Sequence, residues 1–373
     1  MKVLQISSAQ SFGGGERHLA DLANGLAGRG HEVFAALRPN SPLIGELKQI
    51  PYENIATLPL RNALDTRSAR DLFRLVHRHQ IEIVHAHMAR DYTLAAYASR
   101  RHARVIVTRH VLFGLNRLHR ITLSRAARVI AVSGAVASKL REDGVVKHER
   151  ISVVYNGIDV DRFLRARERF NRAQFLAEWK LSENSLLVGT VGELTPLKGH
   201  DEFLESAALI AKNYPNAYFV VAGLDTARDQ KNRRLLNDKI KALDLIDRVR
   251  VIEWVEDISQ LYCALDVFVS ASHMESFGLA IAEAMACSTA VVATETEGAR
   301  EIVRSRETGL LVPVGEVGKL AQAIVTLLNE KDERIRIGQA ARQAISTQFS
   351  LERMLNETEK IYAEVLSRKW FDI

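Results

Sequence analysis

Two acidic residues, Glu275 and Glu283, stand eight positions apart around a short loop and the apolar run that follows it. The run LAIAEAMA predicts a buried helix, so the loop leads into a helix N-terminus. The first turn of a helix carries unpaired N–H groups and the positive end of the helix dipole, and both attract anions. We therefore expect Phe277, Gly278 and Leu279 to offer backbone amides to an anion such as a diphosphate.

The two carboxylates suit the two sugars of a nucleotide sugar. If the segment were helical throughout, Glu275 and Glu283 would lie roughly 12 Å apart, at about 1.5 Å per residue. An ionised carboxylate only accepts hydrogen bonds, so Glu275 could bind hydroxyls of the transferred sugar and Glu283 those of the ribose. A plainer interpretation is also open, in which Glu275 interacts with the helix dipole and Glu283 lies on a solvated helix face.

A glycine-rich loop follows the first predicted strand. The strand covers Lys2–Ser7, and Gly13, Gly14 and Gly15 precede an amphipathic helix predicted over Glu16–Arg29. Such a loop binds phosphate in dinucleotide-binding folds. The full G-x-G-x-x-G pattern is absent, so a flexible turn is the alternative.

Histidines follow two further predicted strands. His110 comes just after the strand Arg104–Thr108, and His87 comes just after the strand Glu82–His85. Ligands of parallel α/β sheets bind beyond the carboxyl ends of the strands, so these imidazoles are candidate site residues. A structural role is the alternative for each of them, and His110 is the stronger candidate.

Strands and helices alternate along the chain, which predicts right-handed βαβ units and parallel sheets. A length of 373 residues favours two domains over one core. We predict a first domain over residues 1–160, a second over residues 161–350, and a C-terminal helix within residues 351–373 that packs back on the first. A single helix is predicted over Arg165–Lys180. Further strands are predicted at Glu32–Leu37, Arg128–Val132, Leu186–Gly192, Ala217–Ala222, Val249–Ile252, Val267–Ser270 and Ala290–Ala293.

The composition is that of an ordinary soluble globular protein, with 47% hydrophobic and 26% charged residues. Cys263 and Cys287 both lie in apolar segments, which favours buried reduced thiols over a disulfide or a metal site. The start MKVLQISSAQ lacks the apolar core of a signal peptide, and no stretch approaches the roughly 18 apolar residues of a membrane span. We therefore expect a cytoplasmic protein.

Arginine is concentrated in one part of the first half. Residues 61–128 contain 14 Arg and no Lys against four acidic residues, a net charge of +10, whereas the whole chain carries +6. Such a region can bind nucleic acid, anionic lipid or a phosphorylated acceptor. It can also reflect a genome that uses Arg in place of Lys on solvated faces.

The segment Val111–Ala127 lies inside this region and combines apolar with basic side chains. Phe113 and Leu118 accompany Arg117 and Arg120. Basic residues on one face and large apolar residues on the other are typical of a helix at a membrane surface. An ordinary surface helix packed on the sheet fits the pattern equally well.

Five motifs resemble those of one enzyme family, the retaining GT-B glycosyltransferases of glycosyltransferase family 4. The run E-S-F-G-L-A-I-A-E from Glu275 resembles the E-x7-E signature of that family. The resemblance covers nearly the whole chain and implies an α/β fold of the GT-B type, in which two Rossmann-like parallel-sheet domains face across a cleft. The other matching motifs, in the family's order, are G-G-x-E at Gly13–Glu16, T-x-H at Thr108–His110, N-G-I-D at Asn156–Asp159 and K-G at Lys198–Gly199.

The resemblance also implies roles for individual residues. His110 would support the transition state beside the donor sugar, Lys198 would reach the diphosphate, and Glu275 would position the sugar, with none of them a covalent nucleophile. Glu193 stands where most relatives carry Arg, so we expect its carboxylate to turn away from the diphosphate or to contact another group. The implied donor-binding residues are Gly13, Gly14, Gly192, Trp254, Val255, Ser276, Phe277, Gly278, Leu279 and Glu283, and the implied acceptor-side residues are Glu16 and Arg109.

The implied reaction moves a hexose from a nucleotide diphosphate sugar, with a UDP-sugar favoured, to a glycan or lipid-linked acceptor. It would retain the configuration of the anomeric carbon and need no metal or other cofactor. Envelope polysaccharide or lipopolysaccharide synthesis, with peripheral contact to an anionic inner membrane face, would suit the arginine-rich region. Two other functions stay open. A sugar-nucleotide epimerase can share the fold, and a nucleic-acid-binding protein would explain the arginines, although few aromatic residues accompany them.

Overall fold

The computed structural model describes residues 1–100, 102–115, 117–253 and 257–367. The chain divides into two compact units. Unit 1 comprises Met1–Gly157 together with Leu351–Ile373, and unit 2 comprises Ile158–Ser350. Unit 2 is thus inserted into the sequence of unit 1.

Each unit contains one parallel sheet with helices in the connections between its strands. In the described residues the strands are β1 (Lys2–Ser7), β2 (Glu32–Leu37), β3 (Ile55–Thr57), β4 (Ile83–Ala86), β5 (Arg104–Arg109), β6 (Ala126–Ala131), β7 (Ile151–Val153), β8 (Leu186–Val191), β9 (Ala217–Ala222), β10 (Val249–Ile252), β11 (Val267–Ser270), β12 (Ala290–Thr294) and β13 (Leu310–Val312). The α-helices are α1 (Gly14–Gly28), α2 (Leu43–Glu46), α3 (Thr66–His79), α4 (Tyr92–Ala98), α5 (Arg117–Leu123), α6 (Gly134–Asp143), α7 (Val160–Arg169), α8 (Arg172–Glu178), α9 (His200–Ala211), α10 (Lys231–Ala242), α11 (Ile258–Ala264), α12 (Leu279–Ala286), α13 (Glu297–Ile302), α14 (Val317–Asn329), α15 (Lys331–Gln348) and α16 (Leu351–Ser367).

The sheet of unit 1 has seven strands in the order β3-β2-β1-β4-β5-β6-β7, and every pair is parallel. Strands β5 and β6 are buried at every residue, as expected of a parallel sheet covered on both faces. Helix α16 belongs to the core of this unit, because its side chains Leu355, Ile361 and Tyr362 are buried in the same apolar cluster as Leu19 and Leu22 of α1.

The sheet of unit 2 has six strands in the order β10-β9-β8-β11-β12-β13, again with every pair parallel. Its central strands β11 and β12 are buried at every residue. In both units the first three strands extend the sheet toward one edge, and the later strands extend it toward the opposite edge. The order therefore reverses between β1 and β4 in unit 1 and between β8 and β11 in unit 2.

Several sequence predictions of local structure were wrong. The single helix predicted over Arg165–Lys180 is interrupted, because the Asn171 side chain accepts a hydrogen bond from Gln174 N (3.1 Å) and starts a new helix there. Strands β3, β7 and β13 were not predicted, since three residues are too few to give a periodic signal.

The segment Val111–Ala127 is not one amphipathic helix. Its helical part is α5, whereas Ala126 and Ala127 begin the buried strand β6, which was predicted to start at Arg128. Two large apolar side chains of the segment are nevertheless exposed, Phe113 at 56% and Ile121 at 67%. Among the described residues, every helix is too short or too polar to cross a bilayer.

Candidate active site

The candidate residues cluster at the carboxyl edges of the two sheets. In unit 1 they follow β1, β4 and β5, and in unit 2 they follow β8 and β11. Each pair β1/β4 and β8/β11 is the point at which the strand order reverses. Ligands of open α/β sheets bind outside the carboxyl ends of the strands at such a point, so the topology places a candidate site in each unit.

Helix α12 presents an N-terminus suited to an anion. Its N-cap is Gly278 with φ +99°, a conformation that glycine adopts without strain, and no side chain caps the helix. The first turn of α12 contains no acidic residue, whereas the first turn of α9, the helix that follows Lys198, contains Asp201 and Glu202. The positive end of the α12 dipole is therefore not compensated by a carboxylate within its own first turn.

Lys198 and Glu275 meet in an ion pair beside this helix. Lys198 Nζ lies 2.6 Å from Glu275 Oε1, which also accepts a hydrogen bond from Ser272 Oγ (2.8 Å). The Glu275 side chain is 14% exposed and that of Lys198 is 31% exposed. The sequence assigned these two residues to separate parts of a donor, and the fold brings them together.

A tight turn fixes the position of Lys198. The lysine ends a short 3₁₀ turn, Pro196–Lys198, and is followed by Gly199 at φ +65°. A Cβ at Gly199 would lie 1.9 Å from the carbonyl oxygen of Ala271, so only glycine fits there. A Cβ at Gly192 would lie 3.4 Å from Cγ and Cδ of Lys198, which means that the lysine stem packs against this glycine.

The loop before α12 is held by its backbone. The Phe277 ring is buried and packs edge-on against Phe349, with ring centroids 5.6 Å apart, so its side chain serves the core. Gly298 N donates to the Glu275 carbonyl (3.1 Å), and a Cβ on Gly298 would lie 2.8 Å or less from backbone atoms of Glu275, Ser276 and Phe277. Helix α13 therefore packs directly on this loop. The predicted contribution of Phe277 to donor binding stays a prediction about its backbone.

Glu283 and Leu279 lie on α12 itself. Leu279 is the first residue of the helix, and Glu283 is half-buried one turn further on. Glu283 Oε2 accepts a hydrogen bond from the hydroxyl of Tyr262 (2.9 Å), which is fully buried. Burial raises the pKa of Tyr262 well above its ordinary value, and the Glu283 carboxylate adds to that shift. Tyr262 was not predicted, because it lies 21 residues away on α11 and carries no local signal.

The Glu193 carboxylate contacts another group of unit 2. Its side chain is exposed, and Oε1 accepts a hydrogen bond from the hydroxyl of Thr226. Its backbone carbonyl contacts His200 Nε2 at 3.1 Å. Burial lowers the pKa of His200, which disfavours the charged form of this ring. The carboxylate thus has a partner of its own in the loop after β9.

In unit 1 the glycine loop starts α1. Gly13 is the N-cap and Gly14 the first helical residue, and Gly13 N donates to Glu16 Oε2 (3.0 Å). Burial raises the pKa of Glu16, while this hydrogen bond and the nearby charge of Arg90 oppose the shift. The Glu16 carboxylate, which was predicted to lie on the acceptor side, therefore closes the first turn of α1.

His110 lies at the end of β5 among other histidines. Its Nε2 is 3.2 Å from His87 Nδ1, and its ring packs edge-on against His18 with centroids 4.9 Å apart. A Cβ at Gly15 would lie 3.5 Å from Cγ of His110, so the glycine loop covers the ring. Burial lowers the pKa of His110 and His87 well below the usual value and that of His18 to about 4, which keeps all three rings neutral at pH 7.

The same three rings also meet a geometric requirement for a metal site. One nitrogen each from His18, His87 and His110 lies within 4.8 Å of the others. Two of these rings approach each other through His87 Nδ1 and His110 Nε2, whose 3.2 Å separation lies within hydrogen-bond distance. Both rings are neutral, so one of these nitrogens can donate the hydrogen bond and the other can accept it.

Arg109 is buried next to His110. It is 7% exposed, and its guanidinium donates to the carbonyl of Phe113 and interacts with the Tyr92 hydroxyl. This holds the loop that follows β5. Two predicted donor-binding residues, Trp254 and Val255, lie outside the residues that the structure describes.

Two family models match complementary parts of the chain. Residues 12–162 match the family described as Glycosyltransferase Family 4, and residues 171–344 match the family described as Glycosyl transferases group 1. The chain belongs to the group 1 / family 4 glycosyltransferases. It is therefore a transferase enzyme, and the family predicted from the five motifs is confirmed.

Relatives of this glycosyltransferase match over most of its length. It is 26% identical over 383 residues to N-acetyl-alpha-D-glucosaminyl L-malate synthase of Bacillus anthracis, covering 97% of this chain and 96% of the relative. It is also 26% identical to the capsular polysaccharide biosynthesis glycosyltransferase CapM of Staphylococcus aureus, covering 85% and 87%. The crystal structure of Anabaena Alr3699/HepE in complex with UDP and glucose superposes with a TM-score of 0.84 at 24% identity, covering 97% of this chain and 99% of that one. The predicted GT-B fold is confirmed.

Proposed function

We propose that this glycosyltransferase is a retaining hexosyltransferase that uses a UDP-sugar donor and a glycan or lipid-linked acceptor in envelope polysaccharide or lipopolysaccharide synthesis. The observation that carries the donor part is the Lys198–Glu275 pair, 2.6 Å apart, beside the uncapped N-terminus of α12 at the β8/β11 switch point. A cation, a carboxylate and free helix dipole in one place match a diphosphate joined to a sugar.

In the proposed complex the diphosphate occupies the N-terminal end of α12. Lys198 leaves Glu275 and turns its charge to the phosphate oxygens, while Glu275 accepts hydrogen bonds from sugar hydroxyls. Glu283 accepts hydrogen bonds from the Tyr262 hydroxyl and from the ribose hydroxyls. Donor binding thus replaces one ion pair with another, so neither charge is left without a partner. The UDP and glucose bound by Alr3699/HepE support uridine as the base.

The proposed reaction occurs on one face of the sugar. The bond from the anomeric carbon to the β-phosphate oxygen breaks, and a bond from the same carbon to the acceptor hydroxyl oxygen forms. The hydroxyl proton passes to the leaving diphosphate. Lys198 and the α12 dipole stabilise the charge that develops on the diphosphate, which is the task a metal performs in other enzymes. In the proposed reaction His110 supports the transition state as a neutral ring and adds no positive charge to it.

Two arginines near the carboxyl edge of the unit 1 sheet favour an acceptor with an anionic group. Arg38 follows β2 and Arg90 follows β4, and both charges act on the buried carboxyl of Asp91. Burial nevertheless raises the pKa of Asp91 to about 6. Arg90 is exposed, so it can pair with a phosphate or carboxylate of the acceptor. The relatives that form a malate product and a capsular polysaccharide are compatible with such acceptors.

The test of donor and reaction type is a panel of UDP-, GDP- and ADP-sugars incubated with the protein and candidate acceptors, with and without EDTA. We expect UDP release that depends on acceptor, continues in EDTA, and yields a product whose anomeric configuration by NMR equals that of the donor. An inverted product would refute retention. Conversion of the donor to its epimer without UDP release would make the protein an epimerase.

Membrane contact is tested separately. The +10 charge of residues 61–128 and the exposed Phe113 side chain would bind an anionic cytoplasmic membrane face, where each basic residue near the surface contributes about 1 kcal/mol. Co-sedimentation with anionic vesicles should weaken as salt shortens the Debye length from about 10 Å to about 3 Å. Phe113→Ser should reduce binding, whereas Leu235→Ser, at a 57% exposed residue of unit 2, should not. Equal binding to neutral vesicles would refute the contact and favour a soluble acceptor.

A further inference from the structure

A buried polar side chain of the first strand contacts the histidine pair at the site. Gln5 of β1 is fully buried, and its Oε1 lies 2.8 Å from His87 Nε2. The opposite nitrogen of the same ring, His87 Nδ1, lies 3.2 Å from His110 Nε2. Gln5 is therefore linked to His110 through a single imidazole.

The other end of the Gln5 amide faces the C-terminal helix. Gln5 Nε2 lies 3.5 Å from the hydroxyl of Tyr362, which is fully buried on α16. The same hydroxyl lies 2.6 Å from His85 Nδ1, and His85 Nε2 lies 2.7 Å from Thr108 Oγ1. The chain of contacts thus runs from the site through β1 and α16 and returns to β5, two residues before His110.

The histidines in this chain of hydrogen bonds are neutral, so the direction of each bond determines which ring nitrogen carries the proton. Burial lowers the pKa of His85 to about 3 and that of His87 well below its ordinary value. A neutral imidazole carries one N–H and one lone pair. Fixing which nitrogen of His87 donates therefore also fixes which nitrogen of His110 carries the proton.

The Tyr362 hydroxyl sets the donor-to-acceptor direction of these hydrogen bonds. A phenol hydroxyl is a better donor than a neutral imidazole N–H, and the 2.6 Å contact fits donation from Tyr362 to His85 Nδ1. The phenol oxygen is then an acceptor for Gln5 Nε2–H, which leaves Gln5 Oε1 to accept from His87 Nε2–H. His87 Nδ1 keeps its lone pair and accepts from His110 Nε2–H. His110 Nδ1 is left with a lone pair.

We propose that Gln5 is a positioning residue that, through His87, holds His110 as the neutral Nε2–H tautomer with Nδ1 as a hydrogen-bond acceptor for a substrate hydroxyl. The proposal rests on the proposed function, in which His110 supports the transition state. This tautomer suits the reaction because positive charge develops on the sugar in the transition state. Glycosyl transfer passes through a state with oxocarbenium character, and an acceptor nitrogen stabilises that positive charge, whereas an imidazolium or an N–H donor would oppose it.

The tautomer can be measured directly on the ligand-free protein. In ¹⁵N-histidine-labelled protein, long-range ¹H–¹⁵N spectra distinguish protonated from unprotonated ring nitrogens, and His110→Gln identifies the His110 signals by their loss. We expect the wild type to carry its His110 proton on Nε2. A wild-type ring protonated on Nδ1 would overturn the proposal without any variant.

Gln5→Met removes the acceptor while keeping the side-chain length. His87 then loses its partner at Nε2 and is free to donate from Nδ1, so the His110 proton should move to Nδ1 and kcat should fall at least tenfold. The control is Ser68→Ala in the same unit, which removes buried hydrogen bonds to Leu60 N and Asp65 but lies outside the histidine chain. This variant should lower the melting temperature comparably and leave both the His110 spectrum and kcat unchanged.

Two results would overturn the positioning role. One is a Gln5→Met spectrum identical to that of the wild type, and the other is a changed tautomer with an unchanged kcat. Failure of the proposed function has a different signature, because the wild type would then transfer no sugar from any donor. The spectrum of the free protein would still decide whether Gln5 sets the state of His110.

Discussion

Replacing Lys198 by alanine should separate catalysis from stability. The lysine is paired with Glu275 at 2.6 Å, and the two side chains are 31% and 14% exposed. Ion pairs with this degree of solvent access contribute about 0.2 to 1 kcal/mol to folding. For a unit of this size 1 kcal/mol corresponds to about 2 to 4 °C in Tm, so Lys198→Ala should lower the Tm by no more than about 4 °C. Glu275 keeps its hydrogen bond from Ser272 Oγ in the variant.

The effect on turnover should be much larger. A lysine about 4 Å from a phosphate charge interacts with it by roughly 4 kcal/mol at an effective dielectric constant of 20. Removal of one preorganised group that stabilises developing negative charge costs about 10² to 10³ in kcat, or about 2.7 to 4 kcal/mol. The two estimates agree. We therefore expect Lys198→Ala, and likewise Glu275→Ala, to lower kcat/KM by two to three orders of magnitude.

The assay is the initial rate of UDP release with the donor identified by the panel, together with thermal melting of each variant. Unit 2 offers a matched control in Lys239, whose side chain is also 31% exposed and lies 2.5 Å from Glu205. Lys239→Ala should match Lys198→Ala in Tm and keep wild-type turnover. If Lys198→Ala kept half of the wild-type activity, or if Lys239→Ala lost as much, the assignment of Lys198 to the donor site would be wrong.

Two further predictions concern stability. Gly199→Ala should destabilise unit 2 by at least about 2 kcal/mol, because φ is +65° and the new Cβ would lie 1.9 Å from Ala271 O. The control Gly315→Ala, at φ +79° with no atom near the new Cβ, should cost about 1 kcal/mol. Equal losses of unfolding free energy in chemical denaturation would show that the turn at Gly199 relaxes. The second concerns acid. In unit 1 the pKa of His18 is about 4 and that of His85 is about 3, whereas both are 6.5 in the unfolded chain. The free energy of unfolding is therefore at its full value above pH 6.5. It decreases as the pH falls from 6.5 toward the folded pKa values, because the unfolded chain binds protons that the folded unit does not. At pH 5 each of these histidines should lower the free energy of unfolding of unit 1 by about 2 kcal/mol. Hydrogen exchange, corrected for the effect of pH on the intrinsic rate, should show unit 1 losing protection before unit 2. Simultaneous loss of protection in both units would contradict this.

Sequence patterns predicted the parts of the fold that repeat. The alternation of strands and helices predicted parallel sheets, because strands such as β11 and β12 consist mainly of consecutive apolar residues. The break between α7 and α8 was missed, since a charged helical pattern continues across Asn171 and its capping role depends on a single hydrogen bond. The short strands β3 and β7 form through pairing with their neighbours rather than through their own periodicity.

Sequence patterns could indicate the candidate site only where its residues are adjacent in sequence. The loop that precedes α12 and the turn at Lys198 each have a local pattern. The partners of these residues do not, because Tyr262 meets Glu283 and Gln5 meets His87 only through the fold. Buried polar contacts between distant residues leave no spacing to detect, which is why the histidine chain of unit 1 was found only in three dimensions.

The insertion of unit 2 between two parts of unit 1 affects the order in which the two units can fold during synthesis. Residues 1–157 leave the ribosome first, but the apolar core that they form includes Leu355, Ile361 and Tyr362 of α16. At about 5 to 20 residues per second, the ribosome needs on the order of 10 to 40 s to synthesise the rest of the chain. During that time the first sheet is exposed on the face that α16 will cover. We expect unit 2 to complete its core before unit 1 does, and premature termination before α16 to leave the earlier-made unit open to chaperones and proteases.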